Sequence, residues 1–124
     1  MKAAVITISD RASRGEYEDL SGPAIIKILN DEFQENIEIE KAVVPDEADR
    51  IIEALNSYSD CSLILTTGGT GLSPRDITPE VTAGWCDREV PGISEALRIH
   101  SYRETRMAVL SRGYSEAIFW ITRN

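Results

Sequence analysis

The sequence predicts one α/β domain over residues 1–124, built in three layers with a mostly parallel β-sheet between helices on both faces. Short β-branched apolar runs at residues 3–8 and 62–66 lack the polar alternation of half-exposed strands, which is typical of strands buried on both faces. In the segment 37–44, Ile37 and Ile39 alternate with glutamates, which indicates a strand closer to an edge. Longer segments between these runs place apolar residues on one helical face. No repeat or linker divides the chain, and 124 residues is a usual length for a single domain.

Strands and helices alternate in the order β-α-β-α-β, followed by helices and a last strand. The predicted strands are residues 3–8, 37–44 and 62–66, with later apolar runs at 106–110 and 117–121. The predicted helices begin at Pro23, after Asp46, at Thr78 as N-cap with Pro79 in the first turn, and at residue 93. Parallel strands end at one edge of a sheet, so the polar segments that follow them are expected to form the ligand site there. Those segments follow Ile8, Val44, Thr66 and Leu110.

Composition and charge argue against several classes of function. The formal net charge of −8 and the pI of about 4.6 disfavour binding to nucleic acid. Two cysteines without close spacing and a single histidine argue against a zinc cluster. No segment approaches the ~20 apolar residues needed to cross a bilayer, and the first residues do not resemble a signal peptide. We therefore expect a cytoplasmic protein that binds neither nucleic acid nor membrane.

Residues 66–80, TTGGTGLSPRDITPE, form a glycine-rich loop after the third strand. Glycine allows positive φ and removes the Cβ atoms that block a phosphate, so the loop predicts a cradle of N–H groups for an anion. The alternative is a tight turn between a strand and a helix. The loop is not a Walker A motif, which requires a lysine, and it is not a dinucleotide motif, because residue 74 is proline.

Two carboxylates are expected at the same edge of the sheet. Asp76 lies in the glycine loop, and Asp46 follows the second strand. Beside a phosphate cradle they would repel an anionic substrate unless a cation such as Mg²⁺ lies between them. Two alternatives stay open, which are Asp46 as a helix N-cap and Asp76 as a turn residue. Other polar residues that follow strands, and whose groups suit phosphate or a polar ring, are Asp10, Arg11, Ser13, Ser111 and Arg112.

Several ordered motifs resemble the MogA-type molybdopterin-binding proteins. In chain order they are ISDRAS at 8–13, GEYEDLSGP at 15–23, VPDE at 44–47, TGGTGLSPRDITPE at 67–80, PG with EALR within 91–98, and AVLSRG at 108–113. The similarity extends over nearly the whole chain, from about residue 3 to 113. The long central motif is highly specific, and its companions occur in the same order.

The resemblance implies a place in molybdenum cofactor biosynthesis. MogA-type members activate molybdopterin with ATP and Mg²⁺ and produce adenylyl-molybdopterin and pyrophosphate. A MoeA-type protein, which is an expected partner, then inserts molybdate. The family fold forms trimers or hexamers, so a homotrimer or hexamer is expected here.

The resemblance also implies roles for individual residues. The family's glycine loop falls on Gly68, Gly69, Thr70 and Gly71. Its two functional aspartates, expected as catalytic residues and Mg²⁺ ligands, fall on Asp46 and Asp76. Ser111 matches a serine that the family places beside the pterin. Further candidates for substrate binding are Ser73, Arg75 and Asp10, the last for the pterin amide.

After Gly113 the sequence departs from the family pattern. Members usually continue through a further strand, a Leu-Pro-Gly loop and a C-terminal helix, so the resemblance implies a C-terminus that is shorter than usual here, with Phe119 and Trp120 exposed. This difference leaves two alternatives to the enzyme. One is a non-catalytic molybdopterin carrier of the same fold, and the other is a structural module without a ligand.

Overall fold

The computed structural model describes residues 1–34, 36–113 and 116–117, the last two by their backbone. The strands are β1 (Lys2–Ile8), β2 (Glu38–Val44), β3 (Leu63–Thr67), β4 (Arg88–Glu89) and β5 (Glu116–Ala117). The α-helices are α1 (Asp10–Ser13), α2 (Ser21–Glu32), α3 (Ala48–Ser57), α4 (Thr78–Trp85) and α5 (Pro91–Tyr102). A 3₁₀ helix spans Arg106–Leu110.

The main sheet is parallel, in the order β2-β1-β3. Strand β1 lies in the middle, paired with β2 from Lys2 opposite Glu38 to Ile8 opposite Val44. Its residues 3–8 are all buried, as the uninterrupted apolar run predicts for a central parallel strand. Strand β3 is half-buried at every position, so the prediction that it is buried on both faces is wrong. It lies at one edge of the sheet within the described part of the chain.

Helices cover both faces of this sheet, as predicted. On one face Ile6 and Ile8 pack with Ile51 and Leu55 of α3, and Val81 of α4 lies against this cluster. The residues that pack on the opposite face are Ala3 and Val5 of β1, Ile37, and Leu29 and Ile25 of α2. Successive β1 side chains point to opposite faces, so one strand supplies both cores. Full burial of a side chain such as Ile51 contributes about 1.5–3 kcal/mol.

Four predictions about individual elements are wrong. The apolar run at 106–110 is a 3₁₀ helix and not a strand, because the Thr105 side chain accepts the Met107 N–H and begins a helical turn. Helix α4 is preceded by Ile77 as N-cap, and the predicted cap Thr78 bonds elsewhere. Helix α2 begins at Ser21 and helix α5 at Pro91, each two residues before the predicted start.

The remaining findings concern the end of the described chain and the search for a membrane-spanning helix. The antiparallel pair of β4 and β5 has no counterpart in the prediction. The apolar run 117–121 and the expected exposure of Phe119 and Trp120 lie outside the described residues, apart from Ala117. None of the helices in the described ranges has the length and apolar character needed to cross a membrane.

Candidate active site

The carboxyl ends of the three parallel strands lie at one edge of the sheet, as predicted. The Ser9 N–H after β1 donates to the Val44 carbonyl at the end of β2, at 2.9 Å. The Ser9 side chain accepts the Ala12 N–H and caps the short helix α1. This arrangement brings the segment after β1 beside the segment after β2, with the glycine loop following β3 at the same edge.

The glycine loop passes close to β1, and only glycine fits two of its positions. Gly68 has φ +96°, and a Cβ there would lie 2.2 Å from the Ile8 carbonyl oxygen. Gly69 has φ +68°, and its Cβ would lie 2.2 Å from Thr78 Oγ1 and 2.8 Å from Asp46 Oδ1. The positive φ predicted for these two glycines is therefore confirmed.

Gly71 is present for a different reason. It does not have the positive φ that the sequence predicted, because the described backbone adopts that conformation only at Gly15, Gly68 and Gly69 among the glycines. A Cβ at Gly71 would instead meet Asp76 Oδ2 at 2.7 Å. The loop is thus built around two carboxylates, one facing Gly69 and the other facing Gly71.

Asp46 is not a helix N-cap. Glu47 holds that position before α3, and it makes no capping bond with its side chain. Asp46 and Asp10 instead exchange two hydrogen bonds, in which each backbone N–H donates to the other carboxylate at 3.0 Å. The second oxygen of Asp46, Oδ1, is buried and has no hydrogen-bond partner among the described residues. Burial raises the pKa of Asp46, and the charges of Asp10 and Asp76 raise it further.

Asp76 combines the two roles that the sequence left open. Its Oδ2 accepts the Ser73 N–H at 3.1 Å, and its own N–H donates to the Ser73 carbonyl at 2.9 Å, so it closes the turn at residues 73–76. It also lines a cleft together with Asp46. A turn residue and a candidate metal ligand are therefore the same side chain.

Two clefts flank the glycine loop and share a wall made of Thr67 and Gly68. The first, of about 290 Å³, is here called the carboxylate cleft, and its polar lining includes Asp19, Asp46 and Asp76. The second, of about 330 Å³, is here called the hydroxyl cleft, and its polar lining includes Thr70, Thr78, Thr82, Ser94, Arg98, Ser101 and Ser111. Two ligands bound in these clefts would meet at the loop.

The predicted site residues are distributed unevenly between the clefts. Gly68 lines both clefts, Gly69 lines the carboxylate cleft, and Thr70 and Ser111 line the hydroxyl cleft. The four that line neither cleft are Asp10, Gly71, Ser73 and Arg75. Ser13 and Arg11 have local roles, because the Ser13 hydroxyl donates to the Asp10 carbonyl and Arg11 stacks over the Tyr17 ring.

A family model described as a probable molybdopterin binding domain matches residues 4–121. The chain belongs to this family. Relatives of this molybdopterin-binding domain include molybdopterin adenylyltransferases of Helicobacter pylori strain J99, 44% identical over 111 residues, and of Escherichia coli K12, 40% identical over 115 residues. The matches cover 87% and 90% of this chain but only 63% and 59% of those relatives.

Solved structures agree with the family and the fold. The molybdopterin biosynthesis enzyme MoaB of Thermus thermophilus has a TM-score of 0.83 at 41% identity, covering 94% of this chain and 74% of that one. The tungsten cofactor synthesizing protein MoaB of Pyrococcus furiosus has the same TM-score at 36% identity, covering 94% and 72%. The α/β fold with a mostly parallel sheet is thus the fold of these relatives.

The molybdopterin-binding domain offers a donor set that fits Mg²⁺ bound together with a substrate. Asp46 Oδ1 is a buried oxygen without a hydrogen-bond partner among the described residues, and it faces the space that a Cβ at Gly69 would fill. No group of three or more acidic, histidine or cysteine side chains that could hold a metal ion occurs within the described ranges. One or two carboxylates completed by substrate phosphates and water are what Mg²⁺ usually takes. The residues therefore fit a metal that arrives with a nucleotide.

Arg112 holds residues 70–76 of the glycine loop and does not point to a ligand. Its N–H donates to the Thr70 carbonyl at 2.9 Å, and its guanidinium donates to the carbonyls of Gly71 at 3.0 Å and Asp76 at 2.6 Å. It also pairs with Glu80. The prediction that Arg112 contacts phosphate is not supported, since these partners occupy its guanidinium.

Replacing Arg112 with lysine is expected to loosen the glycine loop. A single ammonium group cannot reproduce the planar fork that holds two carbonyls, and each charge-assisted bond contributes about 1.5–3 kcal/mol. Hydrogen exchange of residues 70–76, followed by mass spectrometry, should become about tenfold faster or more. Arg50→Lys, on the exposed face of α3, is the matched control. Equal exchange of the loop in the two variants would contradict this role of Arg112.

Thr78 holds the first two glycines of the loop, and the sequence did not reveal this role. Its hydroxyl donates to the Gly68 carbonyl at 2.9 Å, and its N–H donates to the Gly69 carbonyl at 3.1 Å. The side chain is 2% exposed. A threonine before a proline has the same local sequence whether it caps a helix or holds a loop. Only the contact with Gly68 and Gly69 shows that Thr78 has the second role.

Thr78→Val is expected to lower the free energy of unfolding by about 1–2 kcal/mol, because it leaves the Gly68 carbonyl without its hydrogen bond. Urea denaturation measures this change. Thr82→Val is the matched control, since the Thr82 hydroxyl donates only to carbonyls of its own helix, and its cost should stay below about 0.5 kcal/mol. Equal destabilisation by the two substitutions would show that Thr78 does not hold the loop.

Proposed function

We propose that this chain is a molybdopterin adenylyltransferase of molybdenum cofactor biosynthesis. The observation that carries the proposal is the shared wall of Thr67 and Gly68, which separates a cleft lined with carboxylates from a cleft lined with hydroxyl groups. A reaction that joins two anionic substrates requires two adjacent sites and a means of reducing the repulsion between them. The names of the Helicobacter and Escherichia relatives support this assignment.

The proposed reaction balances as a nucleotidyl transfer. An oxygen of the terminal phosphate of molybdopterin forms a bond to the α-phosphorus of ATP. The bond between that phosphorus and the oxygen bridging to the β-phosphate breaks, and pyrophosphate leaves with the electron pair. The products are adenylyl-molybdopterin and pyrophosphate.

Asp46 and Asp76 would hold Mg²⁺, as catalytic residues of the carboxylate cleft. The ion supplies charge neutralisation and orientation of the ATP phosphates when bound. The two carboxylates alone would repel ATP, and burial raises the pKa of Asp46, so an uncompensated charge there is costly. These residues therefore suit a nucleotide that brings its own cation.

The glycine loop would hold the reacting phosphates at the shared wall. Gly68 and Gly69 bring backbone close to the substrates without side chains in between, and well-aimed N–H donors can contribute about 3 kcal/mol each in the transition state. Thr70 and Ser111, whose hydroxyl oxygens lie 3.4 Å apart, would contact the pterin in the hydroxyl cleft. Gly71 makes room for Asp76, and the exposed Ser73 stays a candidate contact to phosphate.

Three further properties stay predictions, the first two implied by the resemblance and the third by the sequence itself. They are a homotrimer or hexamer, delivery of the product to a MoeA-type protein that inserts molybdate, and a cytoplasmic location. The names of the relatives do not favour the alternative of a non-catalytic carrier. No feature of the two clefts favours a structural module either.

Molybdopterin-dependent release of pyrophosphate tests the proposal. Purified protein is mixed with molybdopterin, ATP and Mg²⁺. Pyrophosphate is measured enzymatically, and the pterin product is identified by mass spectrometry. We expect one pyrophosphate for each adenylyl-molybdopterin formed, and none without molybdopterin. Tight binding of molybdopterin without pyrophosphate would instead identify the non-catalytic carrier.

A further inference from the structure

The end of β1 is joined to the turn that carries Asp76 by an ion pair between Asp10 and Arg75. Arg75 Nε donates to Asp10 Oδ2 at 2.7 Å, and Nη2 donates to Asp10 Oδ1 at 2.8 Å. The Arg75 guanidinium holds the pKa of the Asp10 carboxyl below its usual value. Such a bidentate pair fixes the relative orientation of both groups.

The carboxylate and the backbone N–H of Asp10 form hydrogen bonds with other residues of the protein. Its Oδ1 also accepts the Asp46 N–H, and its own N–H donates to Asp46 Oδ2, both at 3.0 Å. Neither Asp10 nor Arg75 lines the two clefts. These contacts argue against the substrate contacts that the sequence suggested for the two residues.

The pair does fix the position of Asp46. The Asp10 N–H holds one carboxylate oxygen of Asp46, so the other, Oδ1, lies buried beside Gly69, in a residue that lines the carboxylate cleft. The Asp10 carboxylate holds the backbone of Asp46 at the same time. The side chain and the main chain of Asp46 are therefore both held by a single residue from another strand end.

The pair also fixes the position of Asp76, because Arg75 directly precedes it in the chain. The tip of the glycine loop is thereby tied to the ends of β1 and β2. The Arg75 side chain is 56% exposed and that of Asp10 is 20% exposed, so as a surface ion pair it contributes little to stability. Its geometric effect on two functional carboxylates is the larger consequence.

We propose that Asp10 and Arg75 are positioning residues that set the separation and orientation of the Asp46 and Asp76 carboxylates for a divalent cation. This inference rests on the proposed function, in which those carboxylates hold Mg²⁺ with ATP. Residues that orient metal ligands typically change metal affinity by 10–100-fold when they are replaced. The pair should therefore govern cation affinity and not pterin affinity.

The test measures binding without turnover. Mn²⁺ is the probe, and its free concentration is followed by electron paramagnetic resonance in the presence of α,β-methylene-ATP, whose bridge cannot be cleaved. We expect Asp10→Asn and Arg75→Gln each to weaken Mn²⁺ binding about tenfold. The double variant should be no weaker than the worse single variant, because both residues act through one pair. Arg75→Lys keeps the charge but loses the fork, and it should lie between wild type and Arg75→Gln.

Two controls separate positioning from folding and from substrate contact. Arg50→Gln removes an arginine of similar exposure, with a side chain that is 51% exposed, and should leave Mn²⁺ binding unchanged. The affinity for molybdopterin should stay within about twofold of wild type in every Asp10 and Arg75 variant, and thermal unfolding reports whether each is folded. If Asp10→Asn fails to fold, the exposed Arg75 variants carry the test.

The outcomes distinguish this inference from the proposed function. Loss of Mn²⁺ binding in Asp46→Asn with normal binding in Asp10→Asn and Arg75→Gln would overturn the positioning pair and leave the proposed function standing. Weakened molybdopterin binding with normal Mn²⁺ binding would make Asp10 a pterin contact and overturn the inference. Wild-type protein that binds no Mn²⁺ with the nucleotide would contradict both.

Discussion

Replacing Asp46 with asparagine is expected to lower the rate of pyrophosphate release by roughly 10²–10³-fold, the size of effect that follows loss of a major electrostatic contribution to a transition state. The substitution removes the buried, unpartnered carboxylate oxygen that faces Gly69. An asparagine oxygen can still accept the Asp10 N–H, so the fold should be preserved. The same assay as for wild type, with circular dichroism as the check on folding, measures the effect.

The Asp46→Asn protein should also be at least as stable as wild type. Ionised Asp46 places a buried negative charge near the charges of Asp10 and Asp76, and the neutral amide removes both the cost of burying the charge and the repulsion. Mg²⁺ with ATP should raise the melting temperature of wild type but not that of the variant. Wild-type rates in Asp46→Asn, or a large loss of stability, would contradict the role assigned to this carboxylate.

The pH dependence of that stability difference gives an independent check. Burial raises the pKa of Asp46 in the folded protein above its unfolded value, so the folded state binds the proton more tightly. The contribution of Asp46 is therefore most favourable below the unfolded pKa and is lost as the pH rises through the folded pKa. Asp46→Asn should have about wild-type stability at the acidic end and gain relative to it as the pH rises.

Gly68→Ala is expected to lower the free energy of unfolding by about 2–5 kcal/mol and to abolish activity. The left-handed conformation at φ +96° costs alanine about 1–2 kcal/mol, and the 2.2 Å approach of its Cβ to the Ile8 carbonyl adds an overpacking cost of about 1–3 kcal/mol. The neighbour is backbone of the central strand, so the loop must move instead. Chemical denaturation and the pyrophosphate assay measure the two losses.

Gly15→Ala is the matched control for this substitution. Gly15 has φ +74°, but a Cβ there would meet nothing within 4 Å. It should therefore show only the conformational cost of about 1–2 kcal/mol. Equal destabilisation at the two positions would mean that the close approach of the loop to β1 has no energetic weight.

Much of the fold could be predicted because its signals are local. The run at residues 3–8 carries apolar side chains on both faces, which only a central parallel strand requires, and it is the buried middle strand. Helix α3 repeats its apolar residues at helical spacing, and Ile51 and Leu55 pack on the sheet as that spacing predicts. The exposure of β3 could not be predicted, because it depends on which strands lie beside it.

The candidate site could be predicted in its residues but not in their contacts. An aspartate before a helix has the same local pattern whether it caps the helix or faces a cleft, and what decides for Asp46 is the Asp10 N–H, 36 residues away. Likewise the contacts of Thr78 with Gly68 and of Arg112 with the loop are tertiary, and no local spacing shows them. Asp19 and Arg98 line the clefts, and only their places in the matching motifs could have suggested it.

The central claim is that this chain transfers the adenylyl group of ATP to molybdopterin. Transfer of a label on the α-phosphate tests this claim most directly. ATP labelled with ³²P at the α-phosphate is incubated with Mg²⁺, molybdopterin and either wild-type protein or Asp46→Asn, and the pterin product is isolated. The account predicts label in adenylyl-molybdopterin, equal in amount to the pyrophosphate released, with wild type and almost none with the variant. Label that stays in ATP or appears as free AMP while molybdopterin is bound would contradict it.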